Sequence, residues 1–340
     1  MKDFNNMRSA INLEHLESSN LGAGRFYRGY VELLVQDIVN YFQDRTLFQK
    51  VPCPGCGGLE LTLAYEKMGF AFERCLGCGS IFVNPRPDEV VLDEFNRSSS
   101  ACRYWRRETL GLTEIQLNHL HGPNIQWLSE LMDERFEVSP TLLDYGSSSP
   151  YFLNRAMDEF SLSAIVSFRP QLFECQSLAP SGIIFMPEWR DIPDGIDMIT
   201  AFHSIERMAD CRKFFTWAGK NCRKNGLLLL TTTTCSGFEY QVLGEHASNI
   251  NPINRMNLLS LEALTDQIVA AGFEIVELST PGRLDVEIVR SAMAAARGKI
   301  VEPFWEYLLH FRDEQTFNNL QTFLQMNRLS SFVRIAACKL

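Results

Sequence analysis

TLLDYGSSSPYFLN, residues Thr141 to Asn154, decides how the rest of the chain is read. It begins as a short apolar run of strand length, turns at Gly146 through three serines, and restarts at Pro150 as an apolar-periodic helix. Strand, tight turn and helix together make a ligand cradle. In a doubly wound sheet such a crossing lies at the carboxyl end of a central strand, with free helix N–H groups facing the crevice. Asp144 and Gly146 stand where nucleotide folds keep an acid and a glycine. The plainer alternative is a strand-to-helix turn in which Asp144 only pairs within the fold.

Downstream, apolar runs and helical patterns alternate. Strands are expected near 141–145, 164–168, 182–185, 196–201, 227–233 and 273–278, with helices near 150–160, 171–177, 208–221 and 259–272 between them. Such alternation implies an α/β fold, a parallel sheet covered by helices on both faces. STPGRLD (Ser279 to Asp285) breaks the pattern, helices follow near 285–297, 303–311 and 314–327, and Phe332 to Cys338 closes the chain as a further strand. Upstream, Phe26 to Phe48 reads as an amphipathic helix. Asn96 to Asn124, with Tyr104, Trp105, Arg106, Arg107, His119 and His121, lacks a clear period and reads as a linker with a packed aromatic, or as the lining of a pocket. Ile125 to Phe136 returns to helical spacing.

The most specific spacing lies nearer the amino terminus. Cys53-Pro-Gly-Cys56 and Cys75-Leu-Gly-Cys78 are two C-x-x-C knuckles separated by eighteen residues. Four thiolates so spaced converge tetrahedrally on one zinc ion, and the small residues let backbone N–H groups approach the sulfurs. The segment between them carries Leu59, Leu61, Leu63, Phe70 and Phe72, the pattern of a zinc ribbon's hairpin. Four protein sulfurs leave no open coordination position, which favours a structural ion. The competing reading, a redox dithiol, needs a thioredoxin-like βαβ context that this segment lacks.

The division that follows is an arm and helix over 1–50, the ribbon over 51–86, a helical connector over 87–139, and a sheet domain over 140–340 with a helical insertion at 284–328. At 340 residues the chain is long enough for one large and one smaller domain, and 46% hydrophobic with 21% charged residues is ordinary for a soluble globular enzyme. Forty-one acidic against thirty-two basic residues argue against a broad nucleic-acid or anionic-membrane footprint. No run of eighteen apolar residues and no signal-like amino terminus occur, so a cytoplasmic protein with reduced cysteines and no membrane span is expected.

Taken with FVNPRP (82–87), IDMITAFHSIERMAD (196–210), GLLLLTTTT (226–234), INPINRMNLLSLEAL (250–264) and AAGFEIVELSTPGRLDVEIV (270–289), the knuckles and LLDYGSSSPYFL resemble class I S-adenosylmethionine-dependent methyltransferases. They are most similar to the subgroup with an N-terminal zinc ribbon, many of whose members modify sugars or act in cell-envelope glycan pathways. The resemblance implies a Rossmann-like, mostly parallel sheet of seven strands with Phe332 to Cys338 inserted antiparallel beside the fifth. It also implies a cofactor across the first two strand ends and a small-molecule acceptor, such as a sugar or nucleotide sugar. Cofactor contacts are then expected at Asp144, Gly146, Ser147, Ser148, Arg169, Glu188 and Glu206, with His203 or His246 as the base. The chain departs from the family where later glycines of the first loop are Ser148 and Pro150. It departs again where the ribose-binding acid is Arg169, because guanidinium only donates. Arg207 stands where a histidine usually follows Glu206. The competing function is a degenerate methyltransferase fold kept as a binding or scaffold protein. Others are a phosphate-bearing ligand at Arg169 and a nucleic-acid role for the ribbon, which the acidic balance opposes.

Overall fold

The computed structural model describes residues 7–8, 23–146, 150–168, 182–186, 192, 194–296 and 303–340. The expected helix 171–177 lies outside them.

Seven strands form one sheet: β6 (Thr141–Tyr145), β7 (Ala164–Phe168), β8 (Ile183–Met186), β9 (Ile196–Phe202), β10 (Cys222–Thr233), β12 (Phe273–Ser279) and β13 (Phe332–Lys339). Their spatial order is β12-β13-β10-β9-β6-β7-β8, with β13 antiparallel to both its neighbours and every other adjacent pair parallel. The carboxyl-terminal run is therefore a strand inserted beside β10, as the resemblance implies, and it separates β10 from β12. Alternation along the strands splits the core into two layers. Leu227, Leu229 and Ala336 point to the layer holding Trp127, Leu128 and Phe152, from α4 (Glu114–Arg135) and α5 (Pro150–Glu159). Leu228, Leu230, Ile335 and Ala337 point to the layer holding Phe214, Leu264 and Ile268, from α6 (Cys211–Asn221) and α8 (Leu261–Ala270).

Within the expected helical connector, the stretch read as a linker without a clear period is helical as well. α2 (Glu89–Ser98), α3 (Ser100–Leu110) and α4 follow one another closely, each capped by a side chain: Asp88, Ser99 and Thr113. Thr113 and Gln116 make a reciprocal capping box, so α4 starts at Glu114 and runs through Pro123. The helix was obscured in sequence because Pro123, Gly122 and three polar turns dilute its apolar stripe, which becomes regular only from Ile125.

At the other end, β2 (Leu61–Lys67), β3 (Phe70–Cys75) and β4 (Ile81–Val83) form the hairpin and third strand of the ribbon. The ribbon sheet has a fourth strand, β11 (Asn257–Leu258), contributed by the connection after β10 and paired antiparallel with β4. A two-strand clip of β1 (Phe48–Gln49) and β5 (Arg86–Pro87) closes the ribbon's base. A third hydrophobic core spans boundaries that look independent in sequence. It joins Tyr30, Leu34 and Phe42 of α1 (Ala23–Tyr41) to Phe70, Phe72 and Phe95. The same core takes in Tyr240 and Leu243 of α7 (Phe238–Leu243). Val289 of α9 (Asp285–Ala296), Trp305 of α10 (Pro303–Phe311) and Leu324 of α11 (Glu314–Met326) complete it. No helix among the described residues is long and apolar enough to cross a membrane.

Candidate active site

The sheet order reverses direction between β6 and β9: from β6 the chain winds outward through β7 to β8, then returns to β9 on the other side. In open α/β sheets the crevice at such a point, beyond the carboxyl ends of the strands, is where ligands lie. Gly146 follows β6 at φ +82°, a left-handed conformation suited to glycine, and its N–H donates to Phe168 O at 3.3 Å. Asp144 is fully buried and accepts from Thr200 Oγ1 at 3.0 Å, one strand over. Ser147, Ser148, Arg169 and Glu188 lie outside the described residues.

On the β9 side, the chain turns sharply. His203 adopts φ +50°, its N–H donates to Thr231 O at 2.9 Å, and the Arg207 guanidinium donates to His203 O at 2.8 Å. Ser204 Oγ donates to Tyr145 O at 2.9 Å and so ties the ends of β6 and β9 together. The single 3-10 turn that follows, Ile205–Arg207, buries Glu206 completely. Glu206 is ion-paired with Arg255, and His203 Nδ1 lies 3.3 Å from the same carboxylate oxygen. Burial pushes this carboxyl upward, but Arg255 first and then His203 outweigh it, so that it falls to about 2 from an ordinary 4.5.

The linkage sign follows from that depression. Glu206 contributes stability that is fully present above pH 4.5 and is lost as pH falls toward 2. Glu206→Gln should therefore cost roughly 3 kcal/mol at neutral pH, because Arg255 is left without its counter-charge. Urea denaturation of both proteins measures the cost. The gap should narrow as pH falls from about 4.5 toward 2, whereas a pH-independent gap would mean that the ion pair is not its source.

A cavity of about 630 Å³ opens next to this cluster. It is lined at the strand ends by His203, Thr233 and Phe332, by Trp127 and His119 from α4, and by Arg255, Arg283 and Arg334. His203 stacks on Phe332 with ring centroids 5.3 Å apart. Arg334 bonds Glu277 and sits 4.6 Å over the Trp127 ring, while Trp127 Nε1 donates to Glu277 Oε2 at 3.0 Å. His119, singled out earlier in the supposed linker, thus reaches the cavity through α4.

Two lining residues were missed in sequence, Glu239 and Asn249. Glu239 is 4% exposed, and burial, then Asp285, raise its carboxyl to about 7, against a smaller opposing pull from Arg255 and Asn249. No spacing rule marks a lone carboxylate in GFEYQVL, and only the fold reveals it, with α7 packed on α9 and tied to Ser331. His246, by contrast, does not join His203. It lies on the short turn Gly244–His246 beside Leu63, Tyr65 and Arg74 of the ribbon, in a separate cavity. Lys67 Nζ holds that turn by donating to Glu245 O at 2.8 Å and Ala247 O at 2.6 Å.

The four knuckle cysteines do converge. Their sulfurs all lie within 4.8 Å of one another, with Cys53–Cys78 and Cys56–Cys75 at 3.5 Å. Tetrahedral sulfurs about 2.3 Å from a central ion would stand about 3.8 Å apart, so the set fits such an ion. Gly55 N and Gly58 N donate to Cys53 Sγ and Cys56 Sγ at 3.3 and 3.4 Å. A Cβ at Gly58 would come within 3.2 Å of Cys56 Sγ, so a larger residue would crowd the sulfur by a few tenths of an ångström. The ribbon also reaches the sheet through a buried arginine. Arg86 donates to Val83 O, Ala209 O and Asn257 Oδ1, and Asn257 in turn donates to Ile205 O at 3.0 Å and Met208 O at 2.7 Å. The turn carrying Glu206 is therefore fixed from the ribbon side.

Residues 117–278 match the family model described as a methyltransferase domain. This segment is similar to a methyltransferase domain. It runs from within α4 to the end of β12, and its sheet order is that of the class I fold. No curated protein matches the chain. Among solved structures, a putative sarcosine dimethylglycine methyltransferase from Galdieria sulphuraria is similar at 16% identity and a TM-score of 0.43, covering 68% of this chain and 90% of that one. The cyclopropane synthase MmaA2 from Mycobacterium tuberculosis is similar at 18% identity and a TM-score of 0.39, covering 62% and 82%. In this chain the sheet receives its inserted strand β13, and the cavity one of its walls, from residues beyond the matched segment.

Proposed function

We propose that the chain transfers a methyl group from S-adenosylmethionine to a small acceptor, a sugar or nucleotide sugar, and that its ribbon holds a structural zinc ion on Cys53, Cys56, Cys75 and Cys78. What supports this reading above all is the position of the polar cavity, at the carboxyl ends of β9 and β10 next to the point where the sheet order reverses. S-adenosylmethionine, when bound, supplies an electrophilic methyl on a positively charged sulfur. Gly146, Ser147 and Ser148 would approach its methionine end, Asp144 would set that loop through β6, and Glu188 would face the adenine. His203 would take the proton of the attacking hydroxyl at Nε2, since Nδ1 is turned toward Glu206. Glu206 serves this site by anchoring His203 and Arg255. His246, in the other cavity, has no part in that step.

Calorimetric titration with S-adenosylhomocysteine tests the reading. One site per chain is expected, with an affinity weakened at the ribose end. Replacing an accepting carboxylate by Arg169 loses a charge-assisted bond of about 1.5–3 kcal/mol, roughly a ten- to hundredfold loss. Arg169→Glu should accordingly tighten binding. If neither protein binds, the chain is a methyltransferase fold without its cofactor, and the methyl-transfer proposal is wrong.

A further inference from the structure

One wall of the cavity carries two buried hydrogen-bond acceptors that no group among the described residues uses. Glu239 Oε1 and Asn249 Oδ1 both lack a hydrogen-bond partner among the described residues, and both residues line the cavity. An orphaned buried oxygen is destabilising, and two in one cavity are a standing cost that a ligand's donors would remove. Glu239 is fixed in place: its backbone N–H donates to Ser331 Oγ at 3.1 Å, and the side chain of Asn249 hydrogen-bonds its carboxyl group. Asp285, the other carboxylate on this wall, is already satisfied by Ser330 Oγ, Ser331 N and Gln321 Nε2. The unsatisfied capacity is therefore confined to Glu239 and Asn249.

With the Glu239 carboxyl ionised, both orphans accept, so the missing partner must donate. Hydroxyl, amide and ammonium groups are small donors of that kind. The pair offers one carboxylate oxygen and one neutral amide oxygen, which two neutral hydroxyls match one to one, whereas a single ammonium would meet only one anionic partner, beside the Arg255 guanidinium on the same cavity. We propose that Glu239 and Asn249 form the acceptor-recognition pair of this enzyme and that they receive adjacent hydroxyls of a polyhydroxylated ring. This deepens the methyl-transfer reading and rests on it. The pair orients the ring, while His203 across the cavity meets the hydroxyl that is methylated. Glu239 is in this sense a positioning residue.

Saturation-transfer NMR with methyl α-D-glucopyranoside, methyl α-D-mannopyranoside and n-butylammonium, each at millimolar concentration, tests the pair on the full chain. Transfer to at least one glycoside is expected in the wild type, with loss of most of that signal in both Glu239→Leu and Asn249→Ala. Thermal melting is the second readout. A residue kept for a ligand, and orphaned without it, should leave the melting temperature of Glu239→Leu unchanged or raised at pH 8. The pair is overturned by any of three results: no transfer to either glycoside, transfer to butylammonium in preference to both, or a glycoside signal that survives Glu239→Leu. A large fall in melting temperature in both variants would also overturn it, because the residues would then be structural. The S-adenosylhomocysteine titration separates this outcome from failure of the methyl-transfer reading: glycoside contact without cofactor binding leaves the pair standing and sinks methyl transfer.

Discussion

Removal of Ser331 to Leu340 is expected to abolish cooperative folding of the sheet domain. The strand lost, β13, is not at an edge: it pairs with β10 along Leu227–Thr233 and with β12 along Phe273–Ser279. Val333, Ile335, Ala336 and Ala337 are each 0% exposed and contribute to both core layers. Burying aliphatic side chains of this size is worth about 1.5–3 kcal/mol each for the larger ones. Their sum, added to the ladder bonds on two sides, approaches a domain's whole stability of about 5–15 kcal/mol. The truncation also removes Arg334, leaving Glu277 without its cation, and Ser331, which bonds Glu239 N. Urea unfolding followed by circular dichroism is the measurement. A soluble truncate with a single sharp transition would refute the expectation.

The second large effect belongs to the ribbon. Purified protein should carry one zinc equivalent per chain, and Cys75→Ser should lose it. In small metallo-domains the binding free energy, about 10–16 kcal/mol in zinc-finger peptides, is also folding free energy. The loss should not stop at the knuckles. β11 belongs to the ribbon sheet, Ser260 N donates to Ser80 Oγ at 2.9 Å, and Gln267 Nε2 donates to Pro54 O at 2.9 Å. Hydrogen exchange after chelation should therefore accelerate along 234–260 as well as along β2–β4, while β6, β7 and β9 keep their protection. Less than half an equivalent of zinc, or full retention in Cys75→Ser, would remove the ion from the picture. Acceleration confined to the ribbon would leave the ion and dismiss the coupling.

How much of this was legible in the sequence depends on the range of the forces involved. β6 and β7 end where the apolar runs end, because central parallel strands are buried on both faces and their polar bounds are sharp. The four cysteines could be paired with one ion because the local turns fix their geometry. α3 and the first half of α4 were not legible, because side-chain caps start these helices where the apolar period is weak. β11 is two residues long and exists only through its pairing with β4, which lies far away in sequence. The site divides in the same way. His203 and Glu206 sit in a recognisable strand-end motif, and the structure joins them to Arg255. Glu239 and Asn249 acquire meaning only when α7 and its following loop fold over the cavity. His246 looked equivalent to His203 in sequence, and the Lys67 clamp on its backbone turn keeps it in the other cavity.

A ribbon that borrows its fourth strand from the middle of another domain cannot be inherited or discarded as a cassette. Excising the residues of β2–β5 would leave Asn257–Leu258 with an open edge and would strip Asn257 of the Arg86 guanidinium that it receives. Any lineage that lost the ribbon would have to rebuild the loop around Glu206 and Arg255 in the same step. The two parts are therefore expected to vary together, with changes at Phe82, Arg86 or Ser80 compensated near Asn257 and Ser260 on the far side of the shared sheet.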